Sequence, residues 1–539
     1  MNGGRALFLS AIFAIGAAAT CAAQGVQWNG LSLTGSLQSD ILIPQDDASI
    51  GTEPYAGDVV TNTYLNLALS YKDYVTVGAR LEYLDYPLPG FERDFAGWGV
   101  PNIFVTGRCK WGEITVGDFY DQFGSGLIFR TYEERSLGID NSLRGGRIVL
   151  RPFDGINVKM LGGKQRRYWD HNDSWVWGAD AELNIDRWWR GLGERGGTWM
   201  VGASYVSKHE KSTPHYVMEG SDLYTLRLPE TVPAFDVRTQ FGKSGFNVLA
   251  EYAWKINDPS FDNRYSYKRG TAALLSASYS GRGYSILFQA KRSENMSYRS
   301  DRDMTGTSSF INHLPAFTYQ HTYALAAMYP YATQPLGEWA YQGEVRYTFP
   351  RRSVLGGRYG TTLKLNASHI RALHRVEGAE NVYYQDINVT MEKKWTSDFK
   401  TNIMYMNQRY NQAVVEGHGN DGDMVKSNIA VVEAQYRFNN KLQLRAEVQY
   451  LHTRQDYGDW MYGLLELSVN RKLMFTVSDM FNNGDTDLHY YQALVTFTHK
   501  AHRIQGGYVR TRAGYNCSGG VCRYVPASKG VQLSYNYSF

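Results

Sequence analysis

The stretch Lys529-Gly-Val-Gln-Leu-Ser-Tyr-Asn-Tyr-Ser-Phe539 decides how the rest of the chain reads. Val531, Leu533, Tyr535, Tyr537 and Phe539 fall on one face of an extended segment, and Gln532, Ser534, Asn536 and Ser538 on the other. Successive side chains of a β-strand point to opposite faces, so strict alternation marks a strand with one apolar and one wet neighbour. A soluble sandwich and the wall of a membrane barrel both satisfy this pattern. What occupies the polar face of the other strands separates them.

The same alternation recurs along the chain. Thr63–Tyr71 alternates, as does Val75–Tyr83 after the two-residue turn Lys72-Asp73. Trp339–Phe349 and Leu442–Tyr450 follow the same rule. Their polar positions hold Arg80, Glu82, Gln342, Glu344, Arg346, Gln443, Arg445, Glu447 and Gln449. Charges at the centres of long strands are costly in a sandwich core and costly against lipid. They are inexpensive only beside water. Arg80, Glu82, Arg108, Lys110, Glu344, Arg346, Glu433, Arg437, Arg445 and Glu447 are therefore the candidate lumen-lining residues. This mixed, slightly positive wall either orients polar solutes and favours anions, or stiffens the barrel with cross-strand ion pairs.

Connections alternate between tight turns (72–73, 111–112, 153–155, 242–245, 280–283, 439–440, 500–501) and longer segments (44–59, 87–100, 124–146, 209–230, 257–269, 410–424). Short periplasmic turns and longer outer loops are the asymmetry of outer-membrane barrels. Keeping the two in step predicts an all-β fold: a large antiparallel transmembrane β-barrel of about 24 strands, range 22–26. The count assumes that 295–337 is one long outer or inward-folded segment; a hairpin inside it raises the number to about 26. A barrel this wide has room for a plug, and 124–146 and 295–337 are the segments able to supply one.

At the N-terminus, Arg5 precedes an apolar run, Ala6–Ala19, and a small-residue stretch ending at Gln24. This reads as a signal peptide, residues 1–23, leaving 24–539 as a single barrel. Acylation of Cys21 is the alternative, for which Thr20 and Ala18 are poor lipid-box residues. Mean hydropathy is −0.41 and Tyr alone numbers 40, values compatible with a membrane protein when only alternate residues meet lipid. A net charge of +4 on 539 residues implies no nucleic-acid partner. Cys517 and Cys522 flank Ser-Gly-Gly-Val and form a disulfide candidate in an oxidising compartment; Cys109 reads as a small lipid-facing residue.

Chemistry-bearing motifs are sparse. Gly191-Leu-Gly-Glu-Arg-Gly196 matches GxGxxG but sits in an expected turn with no following helix to present its N-terminus to a pyrophosphate. His369/His374 and His209/His215 lack metal-ligand spacing. Acidic clusters at 301–303, 420–423 and 485–487 lack the spacing of a recognised calcium loop. No catalytic residue, cofactor or metal ligand is expected from these motifs. A hydrolase with distant Ser and His groups on the wall stays open.

An aromatic residue straight after a strand, as at Phe539, resembles the closing strand of bacterial outer-membrane barrels, whose terminal Phe is part of the assembly signal. That likeness implies barrel-assembly machinery as a partner. The segment Gly117–Arg135, the Leu143–Gly146 that follows, and 311–335 resemble an uncharacterised outer-membrane barrel family of Bacteroidetes-type bacteria, a domain of unknown function. Arg147-Ile-Val-Leu-Arg151, returning from a Gly- and Arg-rich loop, gives a more distant architectural likeness to alginate-export-type porins. The resemblance implies a barrel in the outer membrane and no known activity. The leading expectation is a porin-like channel for small polar solutes or oligosaccharides, with membrane lipid and a small-molecule or glycan solute as partners. The alternatives are a structural or secretion-associated barrel docking a lipoprotein or other partner, and a barrel-embedded hydrolase.

Overall fold

The computed structural model describes residues 26–52, 54–55, 57–417 and 424–539. The expected signal peptide and the acidic cluster at 420–423 lie outside the described residues.

The chain forms one sheet of 25 strands, one being the three-residue Val26–Trp28 that lies beside Leu31–Pro44. The other 24 make a closed antiparallel barrel. Each pairs with its sequence neighbour, and the closing strand Ser528–Ser538 pairs with Leu31–Pro44 in the register Leu37↔Tyr537 and Ile41↔Leu533. Closure removes the unpaired edges that an open sheet would expose, a necessity where no water can satisfy backbone groups. The predicted tight turns all fall where expected. The connection 295–336 is a single excursion between Tyr284–Glu294 and Gly337–Phe349, whose ends are register partners at Glu294↔Gly337. Hence there is no further hairpin in the wall. Leu143–Gly146, read as the end of a loop, instead opens the strand Leu143–Leu150.

Turn chemistry shows why these junctions are short. Gly245 sits at φ +85, and an added Cβ would lie 2.2 Å from the Ser280 carbonyl oxygen of the adjoining turn. Only glycine fits. Two connections on the short-turn end are longer: 185–196, which contains one helical turn, Arg190–Gly193, and 350–360.

The outward faces are apolar. Along Met424–Asn439, Val432, Tyr436 and Phe438 are exposed, and along Gly97–Cys109, Ile103, Val105 and the free Cys109 share the outward phase. Such rows repeat around the wall, with Val448, Val477 and Leu533 on other strands. Exposed large apolar side chains at alternate positions of closed strands are a lipid-facing surface.

Two contacts reinforce the strand pairing at the seam. The Gly35 and Phe539 backbones exchange hydrogen bonds of 3.0 and 2.9 Å, and a Cβ at Gly35 would press into the Phe539 ring. Gly35→Val is expected to at least halve the heat-modifiable fraction on unboiled denaturing gels; an unchanged fraction would contradict this role. At the outer end, Asp47 accepts from Arg510 (2.9 Å), Lys529 (3.1 Å) and Ser49 (2.6 Å), tying the first outer segment to the last strands. The hydrogen bonds from Arg510 and then Ser49 hold the Asp47 carboxyl well below its ordinary value. A group lowered in the folded state contributes fully above its unfolded pKa, about 3.9, and its contribution fades as pH falls toward the lowered value. Amide protection across Ser49–Thr52, corrected for intrinsic rate, should therefore fall several-fold below about pH 4. Asp47→Asn should lack that protection at neutral pH; an acid-insensitive profile in the native protein would contradict the clamp.

Candidate functional site

Inward positions change character along each strand. On Gly337–Phe349, Glu338, Ala340 and Gln342 are buried, Glu344 is half-buried and Arg346 is exposed, in order from the long-loop end to the short-turn end. On Met424–Asn439 the inward Ile429, Val431 and Glu433 are buried, whereas Arg437 is exposed. Something fills the outer half of the bore and leaves the inner half wet.

The filling comes from the two long excursions, 120–142 and 295–336. Phe123, Leu127, Ile128, Phe129, Tyr298, Ile311, Leu325, Tyr329 and Tyr331 form one apolar cluster with inward wall residues such as Val206, Val232, Met404, Met406, Ile429 and Leu451. Apolar residues at inward positions of a barrel wall are explained by that contact. The longer excursion crosses the bore. Near its origin, Lys291 and Glu338 pair at 2.8 Å with both side chains fully buried, and Lys291 also donates to the Pro315 carbonyl. Five to six strands further round the wall, Tyr323 donates to Glu433 (3.1 Å), the Leu325 amide to Gln449 (2.8 Å) and Tyr329 to Asp456 (2.8 Å). On the wall opposite Gln449, twelve strands away, Gln165 donates to the Phe310 carbonyl at 2.6 Å. Gln408 donates to the Tyr329 carbonyl at 3.0 Å. Internal backbone groups of the excursion are met as well: the Asn312 amide donates to the Leu127 and Met296 carbonyls, joining the two excursions.

The shorter excursion is bound through charge. Glu133 and Asp140 pair with Arg80, which also contacts Glu82 at 2.7 Å. Arg166 grips Glu82 with two hydrogen bonds (2.7 and 3.0 Å) and reaches Asp140. Tyr120 donates to Asp140 at 2.8 Å. Burial would raise the Asp140 carboxyl, but Arg166 and Arg80 hold it below its ordinary value. Nearby, both Glu251 oxygens accept from the Ser125 amide, and Arg238 binds Asp180 (2.6 Å), Glu182 (2.8 Å) and Asp236 (3.0 Å).

These contacts divide the lumen-lining candidates. Arg80, Glu82, Glu433 and Glu447 are buried where the excursions meet the wall. Arg445 bridges Glu433 and Glu447 at that boundary. Arg108 contacts Glu113 (2.9 Å) and Thr76 (3.0 Å), and Arg437 contacts Asp398 (2.6 Å), both in the open inner half. Glu344 and Arg346 occupy the same half. Lys110 lies in the turn after Cys109 and is exposed, rather than within a strand, because pairing ends at Cys109↔Gly112.

Cys517 and Cys522 are joined in a disulfide within the hairpin Gly514–Ser518/Val521–Val525. Its tip caps the longer excursion: the Thr333 amide donates to the Gly520 carbonyl at 3.0 Å. A Cβ on Gly520, at φ +95, would crowd Thr333 and Ala316. His313 stands beneath this tip, and burial, then Arg130 and Lys291, pushes its imidazole down to about 3, so it is neutral. Sequence reading missed His313 and the ion clusters around Arg166, Arg238 and Asp258, whose members come from separate strands and loops. Among the described residues no group of three or more His, Cys, Asp or Glu is placed to hold a metal.

A closed wall with a lipid-facing exterior, a wet inner vestibule and a folded outer filling defines a large transmembrane β-barrel. The chain belongs to the family of unknown function DUF6029, whose match runs over residues 5–539. No curated protein sequence matches it. Among solved structures it is similar to the siderophore receptor PirA from Pseudomonas aeruginosa (11% identity, TM-score 0.42, covering 94% of this chain and 80% of that one). It is similar also to the P pilus usher PapC translocation pore (9%, TM-score 0.44, 94% and 100%). A third is Acinetobacter baumannii OccAB3 (10%, TM-score 0.32, 94% and 99%).

Proposed function

We propose that this protein is a porin-like channel of the bacterial outer membrane, passing small polar solutes or oligosaccharides, with 120–142 and 295–336 as a plug built from its own loops. The observation that carries this reading is the two-part lumen: charged, exposed residues such as Arg346 and Arg437 in the inner half, and a filling held to the wall by polar side chains in the outer half. Exposed ion pairs such as Arg437–Asp398 add little rigidity, so a barrel needed only for stiffness gains little from this vestibule. Export by residues 1–23 and assembly through Phe539 belong to the same proposal.

The test is swelling of proteoliposomes in small polar solutes. Swelling with the native protein, faster once 296–335 is replaced by a short linker, supports the channel. Impermeability in both forms refutes it. A stoichiometric co-purifying partner together with an ion-tight lumen would instead favour the docking barrel, whose interaction surface is the outer loops.

A further inference from the structure

Where the plug, the wall and the disulfide hairpin meet there is a cavity of about 650 Å³. Plug residues 313–331 form most of it, with Gln289, Gln342 and Tyr384 from the wall and Tyr515 and Asn516 from the hairpin. No Lys, Arg, Asp or Glu lines it, and the lining His321 is already engaged by the buried Asp386 carboxylate at 3.2 Å, although the lumen around it is dense with ion pairs. The volume lies within the roughly 300–1,000 Å³ of small-ligand sites.

The lining chemistry narrows the occupant. A charged ligand would give up hydration with no free counter-charge in return. A wholly apolar ligand would strip water from the buried Gln342 amide and leave it unpaired, whereas the Asn516 amide already donates to the Ser136 carbonyl at 3.2 Å. A sugar ring suits both features, because its C–H face packs on an aromatic face while its hydroxyls exchange hydrogen bonds with amides. We propose that this cavity binds a short neutral oligosaccharide, stacked on Tyr319 and Tyr515 and hydrogen-bonded by Gln342. His313 is neutral where it lines the same space, so it adds a hydrogen-bonding group and no charge.

The proposal deepens the channel reading by naming the solute class and rests on it for its meaning in transport. Binding itself needs no pore. The experiment is calorimetric titration of the full-length protein in detergent with maltotetraose, cellotetraose and tetra-N-acetylchitotetraose, and with tetragalacturonate as the charged comparison. Saturable binding of at least one neutral tetrasaccharide is expected, with the acid weaker by about tenfold or more. Tyr319→Ala and Gln342→Leu should each weaken binding by about fivefold or more, and Tyr319→Phe should bind like the native protein. Gel mobility of the unboiled variants confirms folding, and Tyr515→Ala on the hairpin replaces either one that fails to fold.

Three results overturn the proposal: no saturable heat with any neutral sugar, equal binding of the acid, or native-like binding by the folded variants. Swelling without sugar binding would overturn this inference alone, and sugar binding without swelling would overturn the channel.

Discussion

Replacing 296–335 with a four-residue linker is expected to convert a barrel of small, intermittent conductance into one with large, steady steps in planar bilayers. The wall can accept the deletion because Glu294 and Gly337 are register partners at adjacent strand ends, so a short turn closes the gap. What is removed is the excursion that reaches from Gln165 to Glu433 and Gln449 across the bore. The inner half, already hydrated around Arg346 and Arg437, would become continuous with the outside. Current through a water-filled bore follows its narrowest section, and 24 strands enclose a wide one. An increase of several-fold is therefore expected. The excursion also buries inward Met404, Met406, Ile429 and Leu451, so the variant should unfold at lower urea concentration as well. A folded variant with unchanged conductance would contradict the plugging role of this excursion, and an ion-tight lumen in both forms would refute the channel itself.

Asp258→Ala should be the most destabilising single substitution at the outer rim. The Asp258 carboxylate stands 3.0 Å from both the Lys208 and Lys255 ammonium groups, and all three side chains are essentially fully buried. Both cations also lie over the Tyr298 ring, at 5.8 and 5.3 Å. Burial would raise the Asp258 carboxyl, but Lys208 and Lys255 overcome that and keep it ionised. Removing the anion leaves Lys208 with only Glu210, at 3.3 Å, and Lys255 with only a neutral partner, the Ser297 carbonyl, a loss of about 3–5 kcal/mol by comparison with other broken buried pairs. Urea unfolding in detergent micelles measures it, and a loss under about 1 kcal/mol would contradict the cluster's role. Replacing all three charged residues by apolar ones should recover most of the loss, since a buried ion network is seldom better than good packing.

The wall was readable because its information is local. Alternation in Val75–Leu84 or Leu442–His452 needs no knowledge of the neighbouring strand, and Lys72-Asp73 or Asn439-Asn440 marks a turn by composition alone. Strand number followed from keeping turns and loops in step. What sequence could not separate is two kinds of inward charge. Arg80 and Arg346 carry the same signal, a basic residue in the polar phase of a strand. Yet Arg80 is 3% exposed and bound by Glu82, Glu133 and Asp140, whereas Arg346 is exposed. The difference lies in residues 133 and 140, fifty or more positions downstream, and no local period encodes such a meeting. The same holds for Asp258, whose partner Lys208 is fifty positions upstream on another strand. The excursions were legible as unusual, because apolar residues in a long connection have to pack on something. Where they pack was not.

The central claim is that alternate residues of these strands meet hydrocarbon and the bore. Oxygen and a water-soluble nickel chelate distinguish those two surroundings by their collisions with a spin label. Single labels at Val432, Ala434 and Tyr436, and at Gln435 and Arg437, placed in a Cys109→Ser background and reconstituted in lipid, make the comparison. The first three should be reached by oxygen and shielded from nickel, the last two by nickel, in strict alternation. Equal nickel access on both faces would mean that this sheet never enters a membrane.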